Sequence, residues 1–96
     1  MNHKIKSVTL VTAGTAVRFS TSTAPWRAVT VRARPSNGSM TYVGSSDVAA
    51  GTGIQLDAGD TFTFGAEERT HSGISLASFY MDGDLAGDIV DYWAHN

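Results

Sequence analysis

The feature that most constrains this chain is a period of two. Through residues 28–34, AVTVRAR, the apolar Val29, Val31 and Ala33 fall on one side and Thr30, Arg32 and Arg34 on the other, which is the pattern of a strand with one buried face. The alternation returns at Val8 and Leu10, at Val17 and Phe19, and at Phe62 and Phe64. No window sets apolar residues at helical spacing behind a capping residue. A chain of 96 residues has interior enough for one core. Strands of this kind bury their apolar faces by stacking sheet on sheet or by closing a sheet on itself.

Turn signals divide the chain into seven or eight short strands. Residues 4–12 form a first strand, and Ala13-Gly14 turns it into a second over 15–20, making a hairpin. Residues 26–34 are ended by Pro35-Ser36-Asn37-Gly38, a proline followed by a pair suited to positive φ, and 40–44 return as the partner strand. A short extended piece at 54–56 leads through Ala58-Gly59-Asp60 to a strand at 61–65 with Phe62 and Phe64 inward. Residues 74–82 make another strand, Asp82-Gly83-Asp84 a turn, and 89–93 the last strand. The expected fold is all-β, an antiparallel β-sandwich or jelly-roll-like single domain over residues 8–96, preceded by an N-terminal arm at residues 1–7.

Composition narrows the functional classes. With 42% hydrophobic and 17% charged residues the chain is globular, and without cysteine it has no disulfide, thiolate metal site or thiol nucleophile. Residues 1–46 carry six cationic side chains and no acid, whereas 47–96 carry all nine acids against Arg69 alone. Two readings are open: cross-strand pairing between the halves, or a positive and a negative face that orient the molecule against a partner. The acidic second half repels phosphates, so nucleic acid is not an expected partner. The opening MNHKIKSVTLVTAGTAV is broken by Thr9, Thr12 and Thr15 and reads as strand rather than signal peptide. No apolar run reaches the length of a membrane span.

The residues that carry chemistry elsewhere are scattered here. His3, His71 and His95 have no ligand at a spacing that recurs in zinc sites, and Asp82, Asp84, Asp88 and Asp91 depart from the calcium-loop pattern. GTG at 51–53 and AGTA at 13–16 lack the lysine and helix of a phosphate loop. Asn37-Gly38-Ser39 matches a glycosylation acceptor only in a secreted eukaryotic protein. His71, Ser72 and the aspartates lack a nucleophile elbow. No enzymatic activity, metal or cofactor is expected.

Large aromatics point to contact instead. Trp26, Tyr42, Tyr80, Tyr92 and Trp93 exceed what a small core needs beside four phenylalanines. Tyr92 and Trp93 are adjacent and therefore point to opposite faces of a strand. Trp26, Tyr42 and Trp93 are candidate anchors for an interface, or stacking platforms for sugar rings. The basic start, with His3, Lys4 and Lys6, is a candidate segment for reaching an acidic surface. Between them, residues 44–60 are rich in small side chains that permit close approach.

In order, AVTVRARPSNGSMTYVG at 28–44, Asp47-Val48, GIQLDAGD at 53–60, FYMDG at 79–83 and GDIVDY at 87–92 resemble the small virion structural proteins of tailed bacteriophages, several of which are head decoration, or cement, proteins. The resemblance spans roughly residues 8–93, with a spacer at 65–82 longer and more charged than that pattern. It implies a non-enzymatic protein on the capsid surface of a virion. Its partners would be the major capsid protein and, as a homotrimer, its own copies. A carbohydrate-binding module or a tail or neck adhesin is the alternative.

Overall fold

The computed structural model describes residues 3–21, 23, 25–49, 52–65 and 74–95, the side chains of residues 3 and 4 excepted. Among them are ten strands: β1 (His3–Thr9), β2 (Val17–Arg18), β3 (Pro25–Trp26), β4 (Ala28–Ala33), β5 (Thr41–Gly44), β6 (Ile54–Leu56), β7 (Thr61–Gly65), β8 (Ile74–Ser75), β9 (Tyr80–Gly83) and β10 (Ile89–His95). A single 3-10 turn, Leu76–Ser78, separates β8 from β9, and Ser75 starts it by accepting a bond from the Ala77 N–H at 3.2 Å. No helix among the described residues is long and apolar enough to cross a membrane.

The pairing follows one rule. β1 pairs with β10, β2 with β9, β3 with β8, β4 with β7 and β5 with β6, each pair antiparallel. The chain is a single long hairpin whose apex is the loop between β5 and β6. Bending that ribbon over and closing it through β10–β4 and β9–β5 gives two four-stranded sheets, β1-β10-β4-β7 and β2-β9-β5-β6. This is the connectivity of a jelly roll, a sandwich that places successive strands of the ribbon in alternate sheets. The expected all-β sandwich is what the chain forms.

The inner faces are those the alternation marks. Val29, Val31 and Ala33 of β4, Val90, Tyr92 and Ala94 of β10, and Val43 and Met81 of the opposite sheet are buried. Phe19 bridges the layers, stacked on Tyr92 at 5.2 Å between ring centroids and edge-on to Phe79 at 5.7 Å. Leu56 plugs the core at 2% exposure. Val48 closes the apex loop against Gly44 and Gly53. Gly53 has a φ of +77°, and a Cβ there would stand 2.6 Å from the Val43 carbonyl oxygen, so the apex requires glycine at this point.

Several sequence expectations are corrected. Ala13-Gly14, the segment at 35–38 and the turn that follows Gly83 do not close hairpins; each lies where the chain crosses between sheets. Asn37-Gly38 does not adopt a positive-φ turn. Instead the Asn37 amide exchanges two 2.8 Å bonds with the backbone of Ile89, while the N–H groups of Gly38 and Ser39 donate to the buried Asp88 carboxylate at 2.9 and 3.0 Å. Its amide is thus already committed. Asp82 and Gly83 belong to β9 and are buried, with Asp82 Oδ1 accepting from the Gly14 and Gly83 N–H groups; the turn falls after them. The strand expected at 74–82 is split by the 3-10 turn. Residues 3–7, expected in an arm, are hydrogen-bonded along β10 as part of β1. Phe62 lies on the core side of β7 beside Val31 but is 40% exposed, because β7 is an edge strand.

Candidate interaction face

Register across the first sheet sets its outer side chains in rows. Ile5 of β1, Trp93 of β10, Thr30 of β4 and Thr63 of β7 are consecutive partners. Ser7, Asp91, Arg32 and Thr61 form the next row. Alternation puts Tyr92 and Val90 inward and so Trp93 and Asp91 outward. The first of these rows is unusual for a solvent face. Ile5 is 66% exposed and Trp93 47%, side by side on adjacent strands, with the His95 ring 5.0 Å from the indole. Thr30 and Thr63 continue the row, their hydroxyls 3.0 Å apart.

The neighbouring row is a charged cluster centred on Asp91. Arg34 reaches it twice, through Nη2 at 2.7 Å and Nε at 3.3 Å, Arg32 once at 3.2 Å, and the Ser7 hydroxyl donates to it at 2.7 Å. Arg34 beside it, with the Ser7 and Arg32 bonds adding in the same direction, pushes the Asp91 carboxyl down to about 2 against a smaller opposing effect of burial. Two guanidinium groups share one carboxylate, so the cluster keeps one excess positive charge. Basic first half and acidic second half meet here by cross-strand pairing, because the nested hairpin joins early strands to late ones.

β1 inverts the usual polarity of an edge. Lys6 is the partner of the buried Tyr92 and shares a face with Val8, so an exposed lysine occupies a core-side position while Ile5 faces solvent. A charge on the inner side of an edge strand discourages another strand from adding to it. Lys4 stands opposite Ala94 in the same register, and His3 opposite His95; their side chains lie outside the described residues.

The remaining candidates are placed elsewhere. Trp26 packs half-buried against the core from the β3–β8 ribbon, its Nε1 buried without an acceptor among the described residues. Tyr42 has only 5% of its surface exposed, so it offers no ring face; its hydroxyl donates to Asp84 at 3.2 Å. That hydroxyl borders an open hollow of about 470 Å³ at the end of the second sheet, lined also by Ser39, Gln55 and Asp57. His71 and Ser72 lie outside the described residues, as do Ala50 and Gly51 of the apex loop. Among the described residues no three histidine, aspartate or glutamate side chains converge as metal ligands.

The structure therefore unites Trp93 with Ile5, Arg32, Arg34, Asp91 and His95, none of the last five singled out as an interface residue from sequence. Ile5 was legible: once Val8 is inward, parity turns Lys6 inward and Ile5 outward. The arginines required knowledge of which strand pairs with β4. No protein-family model, curated protein or solved structure matches the chain.

Proposed function

We propose that this protein is a non-enzymatic component of a tailed-phage virion that decorates the outside of the capsid and strengthens it by bridging capsomers. The observation that carries this reading is the Ile5–Trp93 strip on the outer face of a small jelly roll. Exposed isoleucine and tryptophan side by side on a sheet rimmed by charge form a surface suited to burial against protein. The jelly roll recurs in viral shell proteins and in lectins, which supports the reading by fold analogy alone. Many modest contacts repeated over a shell would resist internal pressure through multivalency.

Locating the chain by density in purified virions, together with co-sedimentation on shells that lack it, tests the proposal. Density on the head exterior and shells that rupture at higher temperature once it is added are expected. The glycan-binding alternative draws on Trp93 beside the Thr30 and Thr63 hydroxyls, an exposed indole with polar neighbours in one cross-strand row. Specific retention on a glycan array without shell binding would replace the first reading by the second.

A further inference from the structure

We infer that β7 is the docking edge for a second copy of this chain, the two β7 strands pairing antiparallel about a two-fold axis at Thr63 so that the first sheets of both copies become one continuous sheet. The contact uses a different surface from the Ile5–Trp93 strip, stands independently of the decoration reading, and departs from the trimer that the resemblance implies. Its basis is a contrast among edges. Within the described residues the two sheets end at β1 and β7 and at β2 and β6. Lys6, on the inner side of β1, discourages strand addition there. β2 is two residues long, its Arg18 guanidinium bonded to the Tyr80 hydroxyl at 2.6 and 2.8 Å, and β6 is three residues long; edges so short make poor templates. β7 runs unbroken from Thr61 to Gly65 with no charge and no proline, and only Phe64 of its residues is not exposed. It is the edge that nothing blunts.

The ladder to β4 decides which backbone groups of β7 face outward. The Ala33 N–H donates to the Asp60 carbonyl at 2.9 Å. Alternation along the register then gives β4 the N–H and C=O groups of Phe62 and Phe64, while those of Thr61, Thr63 and Gly65 point away from it. A second β7 centred on Thr63 satisfies all of them: Thr63 pairs with its counterpart, Thr61 with the other copy's Gly65, and Gly65 with the other copy's Thr61. A shift of this register in either direction leaves an outward residue unpaired.

Side chains favour the same register. Phe62, 40% exposed and 4.9 Å from its own Phe64 between ring centroids, falls opposite the other copy's Phe64 on the core side, an aromatic cross-strand pair on each side of the axis. The Asp57–Asp60 turn precedes the strand, so the two acidic turns fall at opposite ends of the contact, about 20 Å apart at 3.4 Å per residue. A contact of identical patches closes at two copies, and Lys6 at each outer wing discourages further growth. Opposed residues of an antiparallel pair share a face, so the Ile5–Trp93 strips of both copies face the same way. Such a dimer has two grips for one surface.

Light scattering at rising concentration is expected to give twice the 10.1 kDa chain mass. The chain has no cysteine, so one introduced thiol reads the register. Thr63→Cys is expected to form a covalent dimer on mild oxidation, because opposed residues of a bonded pair stand about 5.5 Å apart between Cα atoms, within the span of a disulfide. Thr61→Cys, its two copies about 14 Å apart along the ladder, is expected to remain uncross-linked. Phe62→Lys gives β7 the inward cation that β1 has and is expected to halve the mass. Thr63→Pro, which removes only an outward N–H, is expected to do the same without touching Phe62. Circular dichroism and thermal melts establish that each variant folds. A wild type that stays monomeric at millimolar concentration overturns the inference, as does a trimer, equal cross-linking of the two cysteine variants, or a dimer that persists in both Phe62→Lys and Thr63→Pro. Amide protection at Thr61, Thr63 and Gly65 that arises only when shells are added also overturns it, by giving the edge to a segment of the shell protein. Co-sedimentation is read separately: a dimer that ignores shells sinks the decoration reading and leaves the pairing standing.

Discussion

Asp91 gathers more partners than any other side chain on the outer face of the first sheet, and its ionisation ties the surface to pH. A carboxyl whose folded pKa lies below its unfolded value contributes stability above the unfolded value and loses it as the pH falls through the folded one. The contribution of Asp91 is therefore full at neutral pH and disappears between about pH 4, where a free aspartate titrates, and about 2, its value beside Arg34. Asp91→Asn is expected to lower stability at pH 7 by about 1 kcal/mol, the upper range for exposed ion pairs and so a measure of a network rather than a single contact. The same variant flattens the acid limb. Urea unfolding of both proteins across that window checks it; equal slopes would show that the cluster adds nothing to folding. The position was legible as an outward residue, since Tyr92 beside it is inward, but its partners were not, because Ser7, Arg32 and Arg34 reach it from two other parts of the chain.

At the level of elements, local period and long-range pairing were legible to different degrees. Which side of β4, β7 or β10 turns inward follows from alternation, a property each strand carries alone. Which strand lies beside it does not, and turn chemistry misled because a glycine-containing bend suits a sheet crossing as well as a hairpin. The crossing from β4 to β5 shows what the sequence spent its Asn-Gly pair on. Asn37 stands in for a strand residue opposite Ile89, and Asp88, 4% exposed, receives the Gly38 and Ser39 N–H groups. The two turns thus brace one another at the end that carries Leu85. Asp88→Ala removes the acceptor for two backbone donors and is expected to cost about 2–3 kcal/mol, against about 1 kcal/mol for a solvated turn aspartate such as Asp47. Thermal melts of the two alanine variants separate the cases. Equal, small shifts would mean that water replaces the carboxylate and that the brace is dispensable.

For the whole molecule, the nested hairpin decides which parts of the chain meet and how late the outermost of them can meet. Pairing first strands with last brings the basic first half beside the acidic second half, and it is across β4 and β10 that Arg32 and Arg34 meet Asp91. The uneven charge along the chain is thus answered across β4 and β10 at this one cluster. The same nesting makes the outermost ladder the most remote in sequence: Ser7 and Asp91 are hydrogen-bonded across 84 residues. Ladders of that separation close late, because loop entropy opposes them until the inner pairs exist. His3 and His95 are register partners, so a designed three-residue linker from residue 95 to residue 3 would close a hairpin between β10 and β1, a length that antiparallel hairpins use. Opening such a chain in the turn at 84–87 yields a permutant in which β10 precedes β1 and Ser7 follows Asp91 by about a dozen residues. The permutant is expected to keep the same sheets and to refold roughly tenfold faster, since the ladder that closed last becomes local. Stopped-flow refolding measures the rate, and hydrogen exchange at β10 and β4 establishes that the central ladder has re-formed. A permutant that folds at the native rate would place the barrier in the inner pairs, and one that fails to fold would show that the 84–87 turn is needed to set the sandwich.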